Sequence, residues 1–373
     1  MILNGIAALA SMLWLYLLTA RGGFWRFREL DHGAPAPHVF PRVAVVVPAR
    51  QEAAVIARSI ASLVRQEYEG DFRVYIVDDH SSDCTVENAV LGAAGFPERL
   101  RVIPARALPP GWSGKVWALS EGIAAAEAEL APDYILLTDA DIVHPPENLS
   151  ALVSRAVAGG YDLVSLMARL SCRTLAEKAL IPAFVFFFFK LYPPAWINDP
   201  RQSTAGAAGG CILVRASRLA SIGGMPSIRG EIIDDCALAA RVKRSGGRTW
   251  LGLSRATESI RDYAGFGEIE SMIARSAFAQ LNHSVVLLAA TLVAMPLLYL
   301  SPLLLLTGRP LAALPWAMMS IAYLPAVRFY GRGWLWALSL PLAAAFYTGA
   351  TLHSAVQYWR GKGGMWKGRA QDS

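Results

Sequence analysis

An apolar run, Tyr134-Ile135-Leu136-Leu137, gives way to Thr138-Asp139-Ala140-Asp141, which sets two carboxylates one residue apart at the end of a predicted strand. Carboxylates are hard oxygen ligands of the kind that hold Mg²⁺ or Mn²⁺, and such a cation neutralises the charge that develops on a leaving diphosphate. Asp139 and Asp141 are therefore the candidate metal ligands. His144 follows in the same loop. Its imidazole could join them, although a histidine ahead of Pro145-Pro146 is more often a surface residue.

Four further segments carry candidate chemistry. Val77-Asp78-Asp79-His80-Ser81-Ser82-Asp83 places acids at another strand end, where an Asp can accept from the N–H of a base and from ribose hydroxyls. Asp79 is the nucleotide candidate; Asp78 and Asp83 serve equally well as caps of turns and helix starts. Gly111-Trp112-Ser113-Gly114-Lys115 lacks the full P-loop spacing, yet Lys115 can supply a point charge to a diphosphate if it is not simply solvated. Ala205-Gly206-Ala207-Ala208-Gly209-Gly210-Cys211 is a small-residue loop that either makes a tight turn or lets a substrate approach the backbone. Glu231-Ile232-Ile233-Asp234-Asp235 opens a helix. Helix-dipole capping accounts for one acid there, and the pair also supplies a general base.

The elements that must position these residues alternate. Val43–Val47, Arg73–Val77, Arg101–Ile103, Tyr134–Leu137, Asp162–Met167 and Ile212–Val214 read as strands, and Glu52 to Gln66 repeats apolar residues at helical spacing. The pattern predicts an α/β domain with a mainly parallel sheet and flanking helices. Ligands gather at the carboxyl ends of strands in such sheets, which is where the acids fall.

Outside this domain the chain is apolar. Ile2 to Ala20 is about long enough to cross a ~30 Å hydrocarbon layer, and Arg21, Arg26 and Arg28 behind it put the following region on the cytoplasmic side. The runs Val285–Leu306, Leu311–Val327 and Trp334–Gln357 are further candidate spans. With three full crossings the C-terminus falls outside, whereas Arg360, Lys362, Lys367 and Arg369 favour the cytoplasm, so the parity of these crossings stays open. Ala179 to Ile197, with its block of phenylalanines, reads either as a buried core helix or as a segment in the membrane interface. The organisation expected is an N-terminal transmembrane anchor over 1–21, a cytoplasmic domain over 40–267, an amphipathic interface helix over 268–283, a transmembrane region over 285–357 and a basic tail over 358–373.

Composition agrees with this division. Hydrophobic residues make up 54% of the 373, which is high for a purely soluble protein, and the mean hydropathy is +0.36. The net charge of +6 comes without any basic cluster interleaved with aromatics, so membrane phosphates rather than nucleic acid are the expected partner. Four cysteines with neither zinc spacing nor disulfide density fit a reduced compartment.

In order along the chain, PARQE, VDDHSSDCT, GK, DAD and IDDC resemble the family 2 glycosyltransferases with the GT-A fold. The phrases RGGFWR, LPPGWSGKVWAL, LTDADIVHPPENL, GGCILVR and IRGEIIDDCALAARVK are similar to the hopene-associated glycosyltransferases of bacterial hopanoid clusters, and the architecture is similar to that of ceramide glucosyltransferases. The resemblance implies a bacterial inner-membrane enzyme that moves a hexosyl or N-acetylhexosaminyl group from a nucleotide-diphosphate sugar, a UDP-sugar, to a lipid acceptor with inversion. By this resemblance Asp235 is the base. Pro48, Ala49, Glu52, Asp79, Lys115, Asp139 and Arg275 face the donor, Gly209, Gly210 and Asp234 lie on the acceptor side, and Asp139 and Asp141 hold the cation. Two positions depart from the family pattern. Met272-Ile273-Ala274-Arg275-Ser276 keeps only the arginine of Gln-x-x-Arg-Trp, which speaks against polymer synthesis, and Cys84 stands where Gly is usual. A polyprenyl-phosphate or sterol-like acceptor, a catalytically silent nucleotide-sugar-binding scaffold and a nucleotidyltransferase are the alternatives.

Overall fold

A computed structural model describes residues 2–364 apart from 32, 36, 38, 307 and 309, so Lys367 and Arg369 of the basic tail lie outside the described residues. The strands are β1 (Val43–Ala49), β2 (Phe72–Asp78), β3 (Leu100–Pro104), β4 (Tyr134–Leu137), β5 (Ile142–Val143), β6 (Leu163–Arg169), β7 (Ile212–Arg215) and β8 (Thr249–Ser259). The helices are α1 (Ile2–Thr19), α2 (Ile56–Val64), α3 (Thr85–Gly92), α4 (Gly114–Glu129), α5 (Asn148–Gly159), α6 (Leu175–Leu191), α7 (Pro194–Ile197), α8 (Ala216–Ser221), α9 (Asp234–Arg244), α10 (Phe266–Ala274), α11 (Val285–Met295), α12 (Ser301–Leu305), α13 (Ala313–Phe329) and α14 (Leu340–Trp359). They form two compact units. One comprises residues 29–170 and 196–261; the other comprises 1–28, 171–195 and 262–364.

The first unit is built on a sheet of order β3-β2-β1-β4-β7-β6-β8-β5. Period-two alternation divides its side chains between two cores. Val43, Val45 and Val47 of β1 join Ile56, Ile60 and Leu63 of α2 and Leu149, Leu152 and Val153 of α5 on one face. Ala44 and Val46 join Val116, Leu119 and Ile123 of α4 and Leu238, Ala239 and Val242 of α9 on the other. Gly122 lets α4 press onto the sheet, because a Cβ there would fall 2.5 Å from Val46 Cγ1 and 2.8 Å from Val77 Cγ2.

The sheet is mixed, with six of its eight strands sharing one direction. Strands β3, β2, β1 and β4 run parallel, β7 is antiparallel to both β4 and β6, and β5 is antiparallel to β8. In the chain, residues 171–195 between β6 and β7 belong to the helical unit. Strand β8, parallel to β6, and the two-residue β5 were not anticipated from the sequence.

The second unit is helical. Among the described residues five helices are long and apolar enough to cross a membrane: Ile2–Thr19, Leu175–Ile197, Val285–Leu305, Pro310–Phe329 and Trp334–Trp359. The phenylalanine block of α6 packs inward, with Phe186, Phe187 and Phe189 buried. Phe186 meets Phe24 and Tyr323, and Phe187 meets Tyr299 and Tyr347. The amphipathic stretch 268–283 is not one helix. It divides into α10 and a separate 3-10 turn, Ala279–Leu281, where Asn282 and His283 adopt positive φ.

Candidate active site

Direction in the sheet determines which loops meet. The carboxyl ends of β1, β2 and β4 lie side by side, and Leu137 at the end of β4 pairs with Ile212 at the start of antiparallel β7. The Gly209-Gly210 loop that precedes β7 therefore falls at the same end as Asp139 and Asp141. Strand β8 shares the sense of β6, so its terminus also arrives there, with Ser259 paired to Ile142.

Lys115 is the hub of the first cluster. It lies in the first turn of α4, whose N-cap Ser113 accepts from Val116 N. Its Nζ is 2.9 Å from Asp139 Oδ1 and 3.4 Å from Asp234 Oδ2. Burial works against the ammonium, but the carboxylates of Asp139, Asp234 and Asp235 outweigh it and raise Lys115 above the ordinary lysine value. Asp235, the second residue of α9, accepts from Gly209 N at 2.8 Å and from Cys236 N at 2.7 Å. Burial, then the neighbouring Asp234, pushes its carboxyl up to about 6 against the opposing pull of Lys115. A Cβ on Gly209 would lie 3.2 Å from both Asp235 Oδ2 and Lys115 Nζ, so the small residue is a condition of this packing. Pro48, Leu137 and Thr138 line the same cleft.

Arg261, two residues beyond β8, forms the second cluster. Its Nη2 donates to Glu52 Oε1 and Oε2 at 2.8 and 2.6 Å, and its Nε to Asp141 Oδ2 at 2.9 Å. Ser259 Oγ donates to the same Asp141 oxygen at 3.1 Å. The loop after β1 is thereby tied to the loop after β4. Sequence reasoning missed Arg261 because β8 was missed, although the short, largely apolar run Thr249-Trp250-Leu251-Gly252-Leu253 was a usable strand signal.

The third cluster surrounds Asp79, whose carboxylate is almost fully buried and lies 3.6 Å from Arg50 Nη1 and 3.2 Å from His80 Nδ1. Its N–H donates to the Ala49 carbonyl at 2.8 Å. Gln51 and His80 take positive φ of 53° and 56°, conformations that side chains adopt at a cost and that concentrate at functional loops. Asp83 accepts from Ala53 N at 3.1 Å and Thr85 N at 3.2 Å, and Asp78 accepts from Ser81 N at 3.3 Å. These two acids brace the loops, in keeping with their capping alternative.

His144 is buried rather than on the surface. Its Nε2 meets Thr138 Oγ1 at 2.9 Å and its Nδ1 meets Asn148 Nδ2 at 2.9 Å, while burial depresses it to about 3. A neutral ring with both nitrogens engaged cross-links β4 to α5 and is no cation ligand. Arg275 belongs to the helical unit, where its N–H donates to the Ser271 carbonyl at the end of α10. All four cysteines are free thiols.

Among the described residues no three His, Cys, Asp or Glu side chains converge as a complete metal cage. Asp139 and Asp141 nonetheless suit a Mg²⁺-type ion, which is commonly held by one or two carboxylates while substrate phosphates and water complete the shell.

A mixed α/β sheet with acids, a lysine and a glycine loop gathered at the carboxyl ends of its central strands defines a GT-A-like fold. Residues 44–222, a little under half of the chain, match the sequence profile of glycosyl transferase family 2. The probable glycosyltransferase YdaM of Bacillus subtilis (strain 168) is 28% identical over 151 residues; the match covers 38% of this chain and only about a third, 34%, of that relative's length. Among solved structures, the mannosyltransferase PcManGT from Pyrobaculum calidifontis, in complex with GDP-Man and Mn²⁺, superposes with a TM-score of 0.59 at 20% identity, covering 93% of this chain and 98% of that one. Glucosyl-3-phosphoglycerate synthase from Mycobacterium tuberculosis, with Mn²⁺ and UDP-glucose, aligns over 64% of this chain and 79% of its own at 18% identity and a TM-score of 0.42.

Proposed function

We propose that the protein is a membrane-bound, inverting glycosyltransferase that moves a hexosyl or N-acetylhexosaminyl group from a nucleotide-diphosphate sugar, a UDP-sugar, to the hydroxyl of a hopanoid-type lipid at the cytoplasmic face of a bacterial inner membrane. The observation that carries the transfer chemistry is the convergence of Lys115, Asp139, Asp234 and Asp235 beside Gly209. The lipid acceptor rests on the motif resemblance and on the apolar helices. The donor class and a divalent cation are supported by the GDP-Man and Mn²⁺ bound in the Pyrobaculum mannosyltransferase, which shares the fold.

In this reading Asp235 takes the proton of the acceptor hydroxyl as its oxygen bonds to the anomeric carbon and the bond from that carbon to the diphosphate oxygen breaks on the opposite face. A carboxyl raised to about 6 suits a general base near neutral pH. The Gly209 and Cys236 amides fix its orientation. Lys115 places positive charge where the diphosphate leaves, and Pro48, Ala49, Glu52 and Asp79 form the nucleotide side. A cation held by Asp139 and Asp141 would supply further neutralisation of the leaving group. Gly210 and Asp234 border the acceptor. The test is Asp235→Asn, with transfer from labelled UDP-sugars to lipid extract measured beside donor binding: transfer should vanish while binding persists. Near-normal turnover would remove Asp235 as the base.

A further inference from the structure

Three consecutive residues at the end of β8 hold Asp141, the second of the paired acids. Ser259 pairs in the sheet with Ile142, the residue after Asp141. Ser259 Oγ donates to Asp141 Oδ2 at 3.1 Å, Ile260 N–H donates to the Asp141 carbonyl at 2.8 Å, and Arg261 Nε donates to Oδ2 at 2.9 Å. Backbone and carboxylate of one acid are thus fixed by a segment 118 to 120 residues further along the chain. Both side-chain donors converge on the same oxygen. Among the described residues Asp141 Oδ1 accepts no hydrogen bond, and it is not sealed from solvent. Asp139 is divided in the same way, with Lys115 on Oδ1.

A guanidinium beside a cation ligand can act in two opposite ways. As a charge it repels a divalent ion and competes for the ligand. As a donor it fixes the direction of the carboxylate, and outer contacts of that kind are typically worth about 10–100-fold in metal affinity. Glu52 decides between the two. Both of its oxygens accept from Arg261 Nη2, at 2.8 and 2.6 Å, while Asp141 is met by Nε. One guanidinium against two carboxylates leaves the cluster negative, so the charge of Arg261 is already balanced within the protein and Asp141 gains chiefly an orientation.

We propose that Arg261, assisted by Ser259, is a positioning residue that occupies Asp141 Oδ2 and so presents Oδ1 to the divalent cation, with Glu52 keeping the guanidinium from competing. The proposal rests on the reading of Asp139 and Asp141 as cation ligands given above. Mn²⁺ binding to the full chain in detergent, with UDP present, is followed through the loss of the free-ion electron paramagnetic resonance signal, a readout independent of turnover. Arg261→Gln weakens Mn²⁺ affinity about 10–100-fold, and Ser259→Ala, which removes one of the two donors, weakens it to a lesser degree. Arg261→Lys recovers part of the loss, because an ammonium restores a donor without the fork that spans Glu52 and Asp141 together. In turnover assays Arg261→Gln raises the Mn²⁺ concentration needed for half-maximal rate by the same factor, while kcat at saturating Mn²⁺ changes far less; a loss of stability alone would not produce that split. Unchanged Mn²⁺ affinity in Arg261→Gln, or in Ser259→Ala should the first variant fail to fold, overturns the proposal. Tighter binding in Arg261→Gln overturns it as well, since the guanidinium would then be a competitor. If the wild type itself binds no Mn²⁺ beside UDP, the cation is removed from both acids and this proposal falls with it, whereas wild-type binding that the variants leave intact overturns this proposal alone.

Discussion

At the residue scale the chemistry is a matter of paired charges. Asp235 shares its cleft with Lys115, Asp234 and Asp139, and its burial keeps it protonated further up the pH scale than an ordinary carboxyl. Because a general base must be ionised to act, the role proposed for Asp235 predicts that kcat/KM falls about tenfold per pH unit below about 6 and levels off above it. Lys115 is the cation that opposes this rise, so Lys115→Met should move the acid limb to higher pH as well as reduce the rate; a limb that stays in place would show that another group titrates. Asp139→Ala or Asp141→Ala should abolish both activity and any response to added Mn²⁺, measured by titrating the ion in a fixed-donor assay. An active, metal-independent variant would remove the cation from the scheme. Arg261→Gln leaves Glu52 and Asp141 without their guanidinium. It should lower stability by about 1–3 kcal/mol in a denaturant titration, even with both acids otherwise intact.

At the element scale, close approach determines where the acids can meet. Helix α4 delivers Lys115 only because Gly122 permits contact with β1 and β2, and Gly122→Ala should cost about 1–3 kcal/mol of stability by overpacking, read as a lowered melting temperature. Gly209→Ala tests the opposite balance. Its Cβ would press on Asp235 and Lys115 at 3.2 Å, so activity should fall far more than thermal stability does. The antiparallel insertion of β7 makes the same point through topology. Had β7 run parallel to β4, the Gly209-Gly210 loop would have opened at the opposite end of the strands, away from Asp139.

At the scale of the whole molecule, a sheet domain that matches the family 2 glycosyltransferase profile over residues 44–222 shares its chain with five helices, among the described residues, of membrane-spanning length. The chain should therefore sediment with membranes and be released by detergent but not by high salt; release by salt alone would confine it to peripheral attachment. The amino-acid sequence determined the chemistry classes and most elements by itself, since the continuous apolar run Val43-Ala44-Val45-Val46-Val47 and the predominantly apolar stretch of residues 2–20 are local properties of the chain. It also carried the ordered acidic motifs from Asp79 to Asp235. Only the tertiary structure decided that β7 runs antiparallel, that Arg261 binds Glu52 from 209 residues away, and that His144 is a buried cross-link. Strand direction and ion pairing depend on which distant segments are brought together, and a local pattern holds no record of a partner that only the packed sheet supplies.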